Sequence, residues 1–123
     1  MALFNLPTGC PGHADAALRA VIEIRRATSL TFDGQRLRTR IGVNTGPVVA
    51  GVVGDSRALC YTALGDAVNV AARIEELNKE HGTDVLISGA TGDHLQGAYP
   101  VAELGYFTLR GRAEPLRVLR LLD

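Results

Sequence analysis

Two stretches of the chain repeat apolar residues with the period of an amphipathic helix. Residues 13–28 place five apolar side chains on one helix face: Ala14, Ala17, Leu18, Val21 and Ile22. Residues 66–81 do the same with a second set: Ala67, Val70, Ala71, Ile74 and Leu77. Recurrence at intervals of three and four residues predicts a helix in each stretch. Asp66 is a plausible N-cap of the second helix, and Gly82 can end it in the left-handed conformation.

Short apolar runs in the rest of the chain are typical of strands. They lie at 1–6, 37–44, 48–54 and 84–88, and in three closing segments, YPVAELG, YFTLRG and PLRVLRLL. Residues 33–36 predict a turn, and Thr91–Leu95 predicts a single helical turn. Thr-Gly-Pro separates the runs at 37–44 and 48–54, which we therefore expect to pair as a hairpin.

Four glycines fall in or beside this expected hairpin: Gly42, Gly46, Gly51 and Gly54. Glycine weakens a strand, so their density indicates close backbone approach or a bulge. Tight turns alone are the simpler explanation for any one of them.

The order of elements predicts an α/β (α+β) fold. Hairpins mixed with helices exclude strictly alternating parallel βα units, and a ferredoxin-like mixed sheet with helices on one face fits best. The 123 residues are enough for a single domain.

Composition excludes several classes of function. Thirteen basic and thirteen acidic residues cancel, and the chain has no tryptophan, so we expect no nucleic-acid partner. No apolar run approaches the length of a membrane span, and the N-terminus lacks the basic region of a signal peptide. Cys10 and Cys60 have no metal-type spacing, which favours reduced thiols and a cytoplasmic chain. The three histidines, His13, His81 and His94, are scattered and predict no metal site.

Asn69 and Arg73 are the first candidate site residues. Four residues apart, they lie on one flank of the second helix, beside its apolar stripe. A guanidinium suits phosphate, and an amide can hold a sugar oxygen. The spacing by itself favours another interpretation, in which Arg73 pairs with Glu76 in solvent.

Other candidates lie just before the second helix, at its first residue, and in the turn at 109–115. The Thr62 hydroxyl can read a base edge, although an ordinary strand threonine is the simpler interpretation. Asp66 is more often a cap than a metal ligand. Arg110 and Arg112 form a basic turn that would clamp phosphate if it lay beside Arg73.

A long run of the sequence resembles the class III nucleotidyl cyclases, the adenylyl and guanylyl cyclase catalytic domain. The most specific part is RTRIGVNTGPVVAGVVGDSRALCYTALGDAVNVAARIEEL, and HADAALRAVIEI and ELGYFTLRGRAEPLRVLRLL extend the resemblance over nearly the whole chain. It implies that Asn69 orients the ribose and transition state and that Arg73 stabilises charge on the phosphates. It also implies that Thr62 helps select ATP, and that Arg110 takes the place of a phosphate-binding lysine.

The resemblance also implies what this chain lacks. The two metal aspartates of the family, the base-reading lysine, the first strand and two helices would all precede residue 1. We therefore expect a truncated cyclase domain over residues 1–123, with Met1 an internal residue of a longer protein. Mg²⁺ or Mn²⁺ would serve the complete domain, and this chain alone would bind neither ion and be inactive. The exposed sheet face would form a homodimer or a domain-swapped dimer.

Three functions stay open at this point. The first is part of an adenylate cyclase that converts ATP to cyclic AMP and pyrophosphate in signalling, with a guanylate cyclase as a variant. The second is a non-catalytic module that binds nucleotide or regulates a partner. The third is a structural domain without a ligand.

Overall fold

The computed structural model describes residues 1–122 and contains three helices and eight strands within them. The helices are α1 (His13–Ala27), α2 (Asp66–His81) and α3 (Gly89–His94). The strands are β1 (Thr31–Phe32), β2 (Gln35–Arg36), β3 (Ile41–Val43), β4 (Val49–Gly54), β5 (Leu59–Leu64), β6 (Val85–Ser88), β7 (Val101–Phe107) and β8 (Leu116–Leu121). The two long helices agree with the predictions from periodicity.

A four-stranded mixed sheet forms the centre of the molecule. Its order is β3-β6-β8-β7, with β3 parallel to β6 and the other pairs antiparallel. The predicted mixed sheet is confirmed. Of the helical turn expected at Thr91–Leu95, residues 91–94 lie in α3 and Leu95 is the residue that follows the helix. β3 lies at one edge of this sheet, with β6 as its only partner among the described strands.

The sheet carries a helix on each face, so the prediction of helices on one face is wrong. On one side, α1 packs Leu18 and Val21 against Val85 and Ile87 of β6. On the other, α2 packs Val70, Ile74 and Leu77 against Leu86. Alternate residues of a strand point to opposite faces, so adjacent residues of β6 serve the two cores. All four residues of β6 are buried.

Strand pairing differs from the sequence prediction. Residues 49–54 pair with 59–64, whereas β3 pairs with β6, more than forty residues further along the chain. The predicted strand 37–44 is shorter, Ile41–Val43, and residues 1–6 contain no strand. The first two of the three predicted closing segments form one strand, β7, with an irregularity between Glu103 and Gly105. The predicted turn 33–36 is the tip and second strand of a short hairpin, with Asp33 and Gly34 both at positive φ.

Gly42 lets α2 approach β3 closely. A Cβ there would lie 2.4 Å from the carbonyl oxygen of Ala71 and 2.5 Å from the backbone nitrogen of Glu75. The expected close approach is therefore confirmed at Gly42. At Gly51 a Cβ would meet nothing within 4 Å, so this glycine is not required for packing.

The β4–β5 hairpin exposes much apolar surface. Its large exposed side chains are Val49 (76%), Val52 (64%), Val53 (54%), Leu59 (73%), Tyr61 (44%) and Leu64 (63%). The two strands form a separate sheet, and the exposed side chains come from both of its faces. An apolar surface of this kind is typical of a protein-interaction site.

Candidate functional site

Two asparagines hold α2 against β3. The side-chain amide of Asn44 donates to the carbonyl oxygen of Ala67 at 3.0 Å, near the start of the helix. Near its end, the buried Asn78 amide donates to the carbonyl oxygen of Ile41 at 3.0 Å. Gly82 follows with φ 62° and ψ 29°, which is the left-handed ending predicted from the sequence. The backbone of α2 is therefore attached to the sheet near both of its ends.

Asn69 and Arg73 project from the solvent-facing side of α2. Their neighbours Val70 and Ile74 are buried, whereas Asn69 is exposed and Arg73 is half-buried. Nη2 of Arg73 lies 3.9 Å from the position that a Cβ would take at Gly111. The Arg73–Glu76 pair favoured by spacing is absent, and within residues 1–122 Arg73 forms no ion pair. Its guanidinium is turned towards the loop between β7 and β8.

Arg73 and Arg110 line one open groove. The groove lies between the second half of α2 and the end of β7, and its lining residues are Arg73, Glu76, Leu77, Glu80, Phe107, Thr108, Leu109 and Arg110. Arg110 is exposed and, within the described chain, has no acidic partner. The structure therefore brings together two of the four predicted site residues, which are 37 positions apart in sequence.

Arg112 has a different role from the one considered for it. Its guanidinium forms an ion pair with Asp66, the first residue of α2. Gly65 is the N-cap residue and Asp66 makes no side-chain capping hydrogen bond, so the predicted Asp66 cap is wrong. The ion pair joins the β7–β8 loop to α2 and leaves Arg110 as the arginine that faces the groove.

Thr62 and Asn69 do not line this groove. Thr62 lies in β5, opposite Gly51, and is half-buried. Only Gly65 separates β5 from α2, so the hairpin leads directly into the helix that carries Asn69 and Arg73. The four candidates thus follow one continuous unit, hairpin and helix, to which the β7–β8 loop is added.

Sequence reasoning did not select Phe107, Thr108 and Leu109 as lining residues. Their exposure alternates, with Phe107 half-buried, Thr108 exposed and Leu109 buried. In the sequence, YFTLRG shows the corresponding alternation of apolar and polar residues, which predicts a strand. The pattern does not reveal that the segment lies beside α2, because that contact depends on the pairing of β7 with β8 and of β8 with β6.

Two charged groups outside the groove have shifted pKa values. Hydrogen bonds from the backbone N–H groups of Gly97 and then Gln96 lower the pKa of the Asp15 carboxyl. Hydrogen bonds to Glu103 and then Asp93 raise the pKa of the Arg117 guanidinium. Asp15 is almost fully buried and joins α1 to the loop before β7, so it stabilises the fold away from the candidate site.

Residues 1–122 contain no group of three or more His, Cys, Asp or Glu side chains positioned to hold a metal ion. Both cysteines are free. None of the helices in the described part of the chain is long and apolar enough to cross a membrane.

Comparison with known proteins gives the family. The family model for the adenylate and guanylate cyclase catalytic domain matches residues 1–119. The chain belongs to this family. Adenylate cyclase 1 of Rhizobium meliloti is 35% identical to 98% of the chain, and an adenylate cyclase of Anabaena cylindrica is 38% identical to 72% of it.

Solved cyclase domains share its fold. The guanylate cyclase domain of RhGC from Catenaria anguillulae, solved with GTP, superimposes with a TM-score of 0.81 at 27% identity over 98% of the chain. The adenylyl cyclase CyaB from P. aeruginosa gives a TM-score of 0.77 at 26% identity. The chain spans 65% of the Catenaria domain and 19% of the Rhizobium protein. The resemblance stated from the sequence is therefore confirmed.

Proposed function

We propose that this cyclase-family chain supplies the sugar- and phosphate-binding part of a site that converts ATP to cyclic AMP and pyrophosphate. The observation that carries the proposal is the groove in which Arg73 and Arg110 lie without an ion-pair partner among residues 1–122. Glu76 and Glu80 also line the groove, but within residues 1–122 neither forms an ion pair with Arg73 or Arg110, so both guanidinium forks are available to phosphate oxygens.

In this proposal each candidate has one task. Arg73 stabilises negative charge that develops on the phosphates as the 3′ oxygen of the ribose attacks the α-phosphate and pyrophosphate leaves. Preorganised donors of this kind typically lower a barrier by about 3 kcal/mol each. Arg110 binds the terminal phosphates, Asn69 orients the ribose, and Thr62 contacts the base. Thr62 and the adenylate cyclase relatives support ATP over GTP.

The described residues do not fit the divalent-ion site that the family reaction uses. No cluster of three acidic, histidine or cysteine side chains is placed for it within residues 1–122, and the carboxylate of Asp66 is engaged by Arg112. We therefore derive no step through a metal ion from these residues, and we expect the 123-residue chain alone to be inactive.

The partner that we propose is a second copy of the domain. The β4–β5 hairpin exposes six large apolar side chains, and β3 has a free edge in the described structure. A relative from Blastocladiella emersonii is described as a dimeric guanylyl cyclase domain. A homodimer would remove the apolar hairpin surface from water.

The first experiment compares cyclic AMP formation from ATP with Mn²⁺ by this chain and by a version extended upstream through the expected aspartates. Activity in the longer chain alone supports the proposal. Inactivity of both versions would favour the nucleotide-binding or regulatory module. Greater activity with GTP in the longer chain would overturn the assignment of ATP.

A binding experiment separates the groove from the chemistry. Titration of a fluorescent ATP analogue into the chain should give weaker binding for Arg73→Ala and Arg110→Ala. Arg120→Ala is the matched control, because Arg120 is an exposed arginine of β8 outside the groove. Equal affinity of all three variants would contradict a phosphate-binding role for the groove.

A further inference from the structure

His13 and His94 lie side by side, although 81 positions separate them in sequence. Their ring centroids are 5.6 Å apart, with an angle of 42° between the ring planes. His13 is the first residue of α1 and His94 is the last residue of α3. The sequence prediction that the histidines are scattered is therefore wrong for this pair.

The hydrogen bonding of His94 leaves one ring nitrogen available. Its Nδ1 lies 2.8 Å from the carbonyl oxygen of Ala90. A carbonyl can only accept, so Nδ1 carries the proton and the neutral ring has its lone pair on Nε2. A histidine that ligates a metal ion is commonly oriented by this kind of bond to a backbone carbonyl.

The ring of His13 is also available to a ligand. Within residues 1–122 its ring nitrogens make no hydrogen bond. The side chain of His13 is half-buried and that of His94 is exposed, so an ion can reach the pair from solvent.

The separation of the two rings fits a shared ion. An ion about 2.1 Å from one nitrogen of each ring lies about 3.2 Å from each ring centroid, so a tetrahedral angle places the centroids about 5.2 Å apart. The observed 5.6 Å is close to this value. Imidazole ligands favour Zn²⁺, Ni²⁺ and Cu²⁺ over Mg²⁺ and Mn²⁺.

We propose that His13 and His94 form a two-histidine site for a borderline transition-metal ion that links α1 to α3, with water in the remaining coordination positions. Neither histidine is among the residues that line the Arg73–Arg110 groove. Because the two ligands are far apart in the unfolded chain, binding would stabilise the native state.

Calorimetric titration with NiCl₂ tests the site in the full 123-residue chain, with Cys10 and Cys60 replaced by serine to remove thiolate ligands. We expect one ion per chain, and at least tenfold weaker binding in His13→Gln and in His94→Gln. His81→Gln is the matched control, because His81 packs edge-on against Phe107, apart from the pair. Equal binding by all three variants, or no binding by the parent chain at millimolar Ni²⁺, would overturn the proposal.

A second measurement does not depend on whether the histidine variants fold. Paramagnetic Ni²⁺ should broaden the ring proton signals of His13 and His94 in the NMR spectrum of the cysteine-free parent chain before it affects His81. Equal broadening of all three histidines would show non-specific binding and refute the site.

Discussion

The contact between Gly42 and α2 allows a quantitative test of how the site helix is held. In Gly42→Ala the new Cβ would lie 2.4 Å, 2.5 Å and 2.9 Å from three backbone atoms of Ala71 and Glu75. Backbone atoms of a helix cannot rotate away as a flexible side chain can. An ordinary contact needs about 3.4 Å, so β3 and α2 must separate by about 1 Å.

Overpacking of this kind costs about 1–3 kcal/mol, and we expect the upper end because all three contacts are with helix backbone. A loss of about 3 kcal/mol should lower Tm by roughly 10–15 °C in a domain of this size. Thermal unfolding followed by circular dichroism at fixed protein concentration measures the change. The same displacement would move Arg73, and under the role proposed for Arg73 a shift of about 1 Å should lower the rate of an active cyclase about 100-fold.

Gly51→Ala is the matched control. It makes the same substitution in β4, where a Cβ meets no atom within 4 Å. We expect its Tm to stay within a few degrees of that of the parent chain. If Gly42→Ala had the same Tm as Gly51→Ala, the close approach of α2 to β3 would be incorrect.

Three further predictions concern electrostatics and association. The lowered pKa of Asp15 contributes stability above the ordinary pKa of an aspartate, and this stability is lost as pH falls towards the folded-state pKa. Urea unfolding at several pH values should show that loss in the parent chain and not in Asp15→Asn. Asp66→Asn should change the free energy of unfolding by less than about 1 kcal/mol, because the ion pair with Arg112 is largely exposed. The same substitution should weaken nucleotide binding several-fold, because it frees the loop that carries Arg110. Unchanged affinity in a fluorescent-nucleotide titration would contradict that positioning role. The chain should self-associate at micromolar concentration, and Val52→Asp in the exposed β4–β5 hairpin should shift its sedimentation coefficient towards that of a monomer. A monomeric parent chain that binds little hydrophobic dye would exclude this surface as an interface.

The sequence by itself determined the elements whose signal is local. The two long helices follow from apolar residues three and four positions apart, and Gly82 ends α2 because glycine adopts positive φ at little cost. The family was also available from the sequence, because a run of forty residues around Asn69 and Arg73 carries the resemblance, and the comparison confirms it. The roles of Thr62, Asn69, Arg73 and Arg110 remain predictions.

Only the tertiary structure decided which segments pair and which side chains meet. Short apolar runs have similar propensities, so nothing local in residues 37–54 distinguishes a hairpin between them from the observed pairing of β3 with β6. Arg73 points towards Gly111 and not towards Glu76, because the β7–β8 loop packs beside α2. This packing is a contact between distant parts of the chain. His13 and His94 meet for the same reason, since packing of α1 against α3 brings together residues that sequence spacing keeps far apart.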